Sequence, residues 1–266
     1  MRFTAFTAMA FAALLSSTEA HDTWLIPDKF EVAPGASVTL DLTSGMAFPK
    51  LESGPKPERV QEAKCRLAGQ MIEFTQRIAA PHSLQLKGEL RQAGVATLWV
   101  KLPSRTIELK PDEVEHYLEE ISAPDSLRKQ WTDMKEPRRW RESYTKHQKT
   151  FVRVGEAKAD RSWSEPVGTL LEIVPEADPT AIRTGGDLPV RVLKGGSPLA
   201  GFALNAVSAG EEKGETKKTD AEGRVRFHLN KEGPWLLRGT DLRKATGGDA
   251  DWESDFVTLT LNVRNK

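Results

Sequence analysis

His21 is the residue whose chemistry depends most on how the chain is processed. If a leader is cut after Ala20, His21 opens the mature chain, and its free amine and imidazole Nδ1 can close a six-membered ring on one Cu(II) or Ni(II) ion. Two nitrogens hold an ion weakly, so a third or fourth ligand is required. The candidates are His82, His116 and His147, with His228 and the Asp22 carboxylate also eligible. A histidine at the third mature position would complete a square-planar terminal motif, but that position is Thr23. The competing reading is that His21 merely follows the cut while Trp24 and Leu25 anchor the first strand.

A second constellation is the basic and aromatic run from Pro137 to Lys149. Arg138, Arg139 and Arg141 can bind an anion, a glycan or a protein partner, with Trp140 and Tyr144 as platforms. Structurally, the same aromatics can instead pin the segment to the core while the charges pair with Glu136 and Glu142. Glu113, His116 and Glu120 share one helical face, a pattern explained by a solvated helix. Cys65, the single cysteine, excludes an intrachain disulfide and a cysteine-based zinc site and reads as a buried, inert thiol. The sequence carries no nucleophile elbow, P-loop or dinucleotide fingerprint, so the expectation is a protein that is not an enzyme. Asp220-Ala221-Glu222-Gly223 lacks the spaced oxygen ligands of a calcium loop and reads as a hairpin turn.

The terminus matters because the start of the chain reads as a signal peptide. Arg2 precedes Phe3 to Leu15, every one apolar, Ala or Thr, and small residues at Thr18 and Ala20 suit a signal peptidase. The expectation is a leader over residues 1–20, a periplasmic location, and no membrane span after cleavage. Removing Arg2 and Glu19 with the leader leaves the charge balanced. With 38 Lys+Arg against 38 Asp+Glu the whole chain is neutral, which argues against a nucleic-acid partner. Hydrophobic residues at 38% suffice for a packed core, and 266 residues suit two medium domains.

The elements that must position these residues are mostly strands. Phe30-Glu31-Val32, Ser37 to Leu42, Val95 to Leu102 and Thr106 to Leu109 alternate or run apolar between Pro/Gly breakers. The period then changes. Pro111 at a first helical position, with Val114, Tyr117, Leu118 and Ile121 on one stripe, predicts an amphipathic helix. Leu127, Trp131 and Met134 predict a second short one before Pro137. Strands return at Phe151 to Val154, Thr169 to Val174, Leu188 to Leu193, Phe202 to Val207, Arg224 to Leu229, Trp235 to Arg238 and Phe256 to Val263. The fold class predicted is all-β: two antiparallel β-sandwich domains, immunoglobulin-like or transthyretin-like, over 21–174 and 175–266. A helical insertion occupies about 110–150 in the first.

Several segments taken together carry a resemblance. They are His21-Asp22-Thr23-Trp24-Leu25-Ile26-Pro27, Glu142-Ser143-Tyr144-Thr145-Lys146-His147-Gln148-Lys149-Thr150, and Leu171-Glu172-Ile173-Val174-Pro175 with Asp178-Pro179. Further on come Pro198-Leu199-Ala200-Gly201, Thr219 to Arg224, Gly233-Pro234-Trp235-Leu236 and Asp251-Trp252-Glu253-Ser254. In order and spacing the chain resembles the bacterial domain-of-unknown-function 4198 family, exported proteins often labelled periplasmic components of nickel or cobalt transport. Members of that family commonly carry Arg where this chain has Lys146. They often have a His-containing stretch where it reads Arg238-Gly239-Thr240-Asp241, a departure that removes a candidate ligand. The resemblance implies two sandwiches and an exported binding role.

The function expected is a non-catalytic periplasmic binding protein for a divalent transition metal, Ni, Co or Cu. A membrane transporter or outer-membrane receptor is its expected partner. The contrasting expectation is an envelope interaction or adhesion module that binds a protein or glycan without metal.

Overall fold

The computed structural model describes residues 22–157 and 160–265. The expected leader over 1–20 and the metal residue His21 lie outside the described residues. The chain opens with β1 (Asp22–Pro27), β2 (Glu31–Val32) and β3 (Ala36–Gly45). Then follow β4 (Glu62–Leu67), β5 (Gln70–Glu73), β6 (Gln76–Ala79), β7 (Leu84–Leu90), β8 (Gly94–Lys101) and β9 (Arg105–Leu109). Two helices come next, α1 (Pro111–Glu120) and α2 (Asp125–Thr132), and then the 15-residue β10 (Trp140–Val154). Both helices fall where the apolar period predicted them. Glu113 reaches back to accept the Lys110 N–H at 2.8 Å and closes the first turn of α1.

The remaining strands are β11 (Leu171–Pro175), β12 (Gly186–Lys194), β13 (Ser197–Pro198), β14 (Ala203–Ser208) and β15 (Glu215–Lys218). The chain ends with β16 (Arg224–Leu229), β17 (Gly233–Lys244) and β18 (Trp252–Val263). They form three sheets. The first is β1-β3-β7-β6; the second, ten-stranded, runs β15-β14-β17-β18-β10-β8-β4-β5 with β2 and β9 also on β10; the third is β11-β12-β13 with β16 on β12.

The ten-stranded sheet is the scaffold for everything else. Successive side chains of a strand point to opposite faces, so β10 serves two cores at once. Val152 and Val154 join Leu25, Val38, Leu40, Leu42, Ala96 and Leu98 against the first sheet. Phe151, with Val257 and Leu259 of β18, packs instead against Leu188, Val190 and Val192 of the third. The first and third sheets therefore cover opposite faces of the second. The helices fold over the first-sheet face beyond its end, where Val114, Tyr117, Leu118 and Trp131 pack on Trp140, Trp252 and Phe256.

Two pairings differ from the purely antiparallel expectation, both on β10: the short β2 runs parallel beside its end, and β18 runs parallel along most of its length, with Thr145 opposite Asp255 and Lys146 opposite Phe256. Strands from the two halves of the chain are thereby neighbours in one sheet. The edge strand β1 crosses this sheet with its carbonyls turned towards it. Thr258 donates its hydroxyl to the Thr23 carbonyl at 2.6 Å, and Thr260 does the same to Leu25. An exposed backbone edge is thus satisfied from below by side chains.

Candidate functional site

Where β1 begins, the first-sheet face of the central sheet carries Tyr144 and Lys146 of β10, Phe256 of β18 and Arg238 of β17. Asp22 forms an ion pair with Arg238, whose Nε also donates to Asn205 Oδ1 at 3.2 Å. Lys146 donates its Nζ to Thr23 Oγ1 at 3.1 Å, and Thr23 Oγ1 lies 2.7 Å from Ser44 Oγ. The ammonium sits over two rings, 5.5 Å from the Tyr144 centroid and 5.4 Å from that of Phe256. Burial is the main reason its pKa falls to about 8; Asp22 acts the other way, and Arg105 pushes it further down.

Two hollows flank this point. The smaller, about 80 Å³, is walled by Asp22, Glu120, Asn205, Thr216, Arg238 and Phe256 among others, and its acids come from β1 and the end of α1. The larger, about 500 Å³, lies on the other side of Lys146. Its wall includes Thr23, Ser44, Ser53, Tyr144 and Lys146, with Lys56, Glu58, Arg59 and Arg105 around them. The wall can close this tightly because residue 54 is glycine: a Cβ there would meet the Ser83 carbonyl carbon at 2.2 Å. Ser44 and Ser53 are bridged backbone to backbone, which fixes the strand end against the loop.

The structure disperses the imidazoles proposed as further ligands. His82 is exposed in the turn between β6 and β7, its Nδ1 3.3 Å from the Glu52 carbonyl. His116 is exposed on α1. His147 is buried, but as the strand neighbour of Lys146 it points to the opposite face of the sheet, where its Nε2 lies 2.9 Å from Asp255 Oδ1. Arg243 of β17 holds the same carboxylate at 2.8 Å, and the hydrogen bonds from His147 and Arg243 keep the Asp255 pKa below its usual value against the opposing effect of burial. His228 is exposed on β16 beside Asp187 at 2.9 Å. Among the described residues no three His, Cys, Asp or Glu side chains form a metal-holding group.

The helical insertion expected over about 110–150 stops short of the basic run: α2 ends at Thr132, Arg138 and Arg139 lie in the connection, and Trp140 to Lys149 is the first part of β10. Arg138 pairs with Glu136 at 2.7 Å and lies over the Trp131 ring. Arg139 pairs with Asp251 at 3.0 Å and Arg141 with Glu108 at 2.7 Å. Trp140 is only 1% exposed, stacked on Trp252 at 4.4 Å with Tyr117 and Trp131 edge-on. Of the expected anion-binding group only Tyr144 faces a hollow. Sequence reasoning missed Glu142 as a centre: its buried carboxylate accepts from Tyr117 and Trp140, both at 2.9 Å, and from Ser254. Burial raises its pKa. The residues lining the larger hollow, Lys56, Arg59 and Arg105, were also missed, since they lie on three segments with no shared spacing.

The fold is thus mostly β, with sandwiched sheets and a polar, two-sided hollow at the first strand. Over residues 18–240 the chain matches the family described as "Domain of unknown function (DUF4198)", and it belongs to that family. No curated protein matches it. Among solved structures it is similar to the D0-D1 domain of intimin, at 10% identity over 90% of this chain and 97% of that one, with a TM-score of 0.21. It is also similar to an I-band fragment of titin, at 8% identity over 92% and 66% of the two chains, TM-score 0.21. The ectodomain of mouse nectin-like molecule 4 gives 8% identity over 92% and 64%, TM-score 0.23. Likenesses this loose carry no argument about function. No helix among the described residues is long and apolar enough to cross a membrane.

Proposed function

We propose that the chain is an exported, non-catalytic binding protein that works in the periplasm once residues 1–20 are removed. Its cargo is a divalent transition ion, Ni, Co or Cu, taken by the amine and imidazole of His21. We read its architecture as two sandwiches, 21–174 and 175–266, that share the central sheet. A membrane transporter or outer-membrane receptor is the partner that such cargo requires.

The observation carrying this reading is the place of Asp22. It is tied down by Arg238 in the wall of the small hollow, where Glu120 is the second carboxylate. An ion bound by the His21 nitrogen pair would draw its further oxygen ligand from one of these two carboxylates, displacing a present contact such as that of Asp22 with Arg238. The interaction-module reading has less support, because Arg138, Arg139 and Arg141 are spent on ion pairs within the chain and Trp140 is buried.

Isothermal titration of the leader-free chain with Ni(II), Co(II) and Cu(II) tests the proposal. One extra Ala before His21 and Glu120→Gln should each weaken binding by about tenfold or more, as loss of a ligand or its support does. His147→Gln, on the far face of the sheet, should leave it unchanged. Equal affinity in the extended chain removes His21 from the account.

A further inference from the structure

The larger hollow has a chemistry of its own, opposite in sign to the one beside Asp22. Four cations line it, Lys56, Arg59, Arg105 and Lys146, against the single carboxylate of Glu58. They arrive from the loop and short helix after β3, from β9 and from β10, so no single amphipathic element explains their meeting. Among the described residues neither Lys56, Arg59 nor Arg105 lies within ion-pair distance of a carboxylate, whereas Arg138, Arg139 and Arg141 nearby in sequence all do. Lys56, Arg59 and Arg105, gathered with only Glu58 among them in the wall, repel one another, and an anion placed between them reduces that cost.

We propose that this cleft binds a small hydroxylated carboxylate of sugar-acid size. The volume of about 500 Å³ falls within the range of small-molecule sites, roughly 300–1,000 Å³. Arg105, an exposed residue on an edge strand, presents a planar fork that matches a carboxylate. Hydroxyls of Thr23, Ser44 and Ser53 both donate and accept, which suits a ligand that carries hydroxyls itself. Tyr144 offers an apolar ring face to the carbon-bearing side of such a molecule. Lys146 stands at the floor, half-buried over the Tyr144 and Phe256 rings, where a ligand carboxylate gains most from its charge. This proposal does not rest on the metal reading: it uses no atom of His21 and needs no ion.

The experiment is calorimetric titration of metal-stripped, leader-free protein in chelator-free buffer with glucuronate, glucose, acetate and inorganic phosphate. Glucuronate should bind, and glucose and acetate should bind about tenfold more weakly or not at all, since each lacks half of the recognition. Added salt should weaken glucuronate. The variant Lys56→Gln/Arg105→Gln changes two exposed positions, so its melting temperature should match the parent while its glucuronate affinity drops about tenfold. Absence of heat with glucuronate, glucose binding as tightly, or an unchanged affinity in the double variant overturns the proposal. Phosphate binding more tightly than glucuronate also overturns it, by making the cleft a simple oxyanion site. None of these outcomes bears on the extended-terminus test.

Discussion

Thr258 Oγ1 donates to the main-chain carbonyl of Thr23 at 2.6 Å, across 235 positions of sequence. The bond joins the last strand to the first and seats β1 on the central sheet. Thr260 repeats it one step along with Leu25, and both threonines are buried, at 3% and 0% exposure. β1 in turn carries Asp22 and Thr23 into the two hollows, so the placement of both candidate sites hangs on these hydroxyls.

Thr258→Val keeps the shape and deletes the donor, leaving a carbonyl without its partner. Such a change costs about 1–3 kcal/mol. Urea unfolding should show that loss for the single variant and a larger one for Thr258→Val/Thr260→Val. Unchanged midpoints in both would show that β1 is held by its apolar contacts alone.

Glu142 is a buried carboxylate meeting three donors, Tyr117, Trp140 and Ser254. Its pKa is raised, with burial the leading cause. A carboxyl whose folded pKa lies above its unfolded value of 4.5 favours the folded state at low pH, and that contribution is lost as pH climbs from 4.5 through the folded pKa. Glu142→Gln removes the titration and also turns an N–H₂ towards donors. The variant should be less stable by about 1–3 kcal/mol, and the gap to the parent should narrow as pH rises above 4.5. Paired urea titrations at several pH values read this directly; a gap that widens with pH contradicts the burial argument.

How much of this was legible in sequence depends on whose partners are near. α1 and α2 are local objects, and their stripes of Val114, Tyr117, Leu118 and Trp131 predicted them and their buried faces. Strands with one apolar face, such as β3 and β16, were equally plain, and His228 points outward as the alternation required. β4 escaped notice although Ala63, Cys65 and Leu67 alternate inward, because Ala and Cys are weak markers beside Glu62, Lys64 and Arg66. β10 was misjudged for a deeper reason. It is buried on both faces, yet it buries Glu142, His147 and Lys149, which are matched by Ser254, Asp255 and Glu172 from distant strands. A polar residue in a core reads as surface until its partner is known. The two hollows were invisible for the same reason, since their walls are assembled from segments that meet only in the fold.

Cys65 lies at 0% exposure on β4, and burial pushes its thiol up to about 12 despite the neighbouring Arg66. The thiolate is the nucleophile, so native protein at pH 8 should resist a neutral disulfide reagent and be labelled only as fast as it unfolds. Urea should therefore accelerate labelling in step with the loss of structure. Immediate labelling of the native chain would mean that β4 opens locally.

Lys146 supplies the last test, because burial brings the loss of its charge into an accessible pH range. Its pKa is lowered to about 8, first by burial and further by Arg105, against the opposing pull of Asp22, Glu120 and Glu142. For a base with a depressed folded pKa the ammonium is present below about 8 and is shed as pH rises above it. Anion affinity in the larger cleft should accordingly hold steady from pH 6 to about 7 and then fall, by at most about tenfold per pH unit, as one cation is lost. Lys146→Arg keeps a cation of similar length that stays protonated throughout, so its affinity for glucuronate should stay level to pH 9.5. A parent curve that is flat to pH 9.5, or a variant that falls alongside it, would place the pH-sensitive charge elsewhere and exclude Lys146 from the ligand's reach.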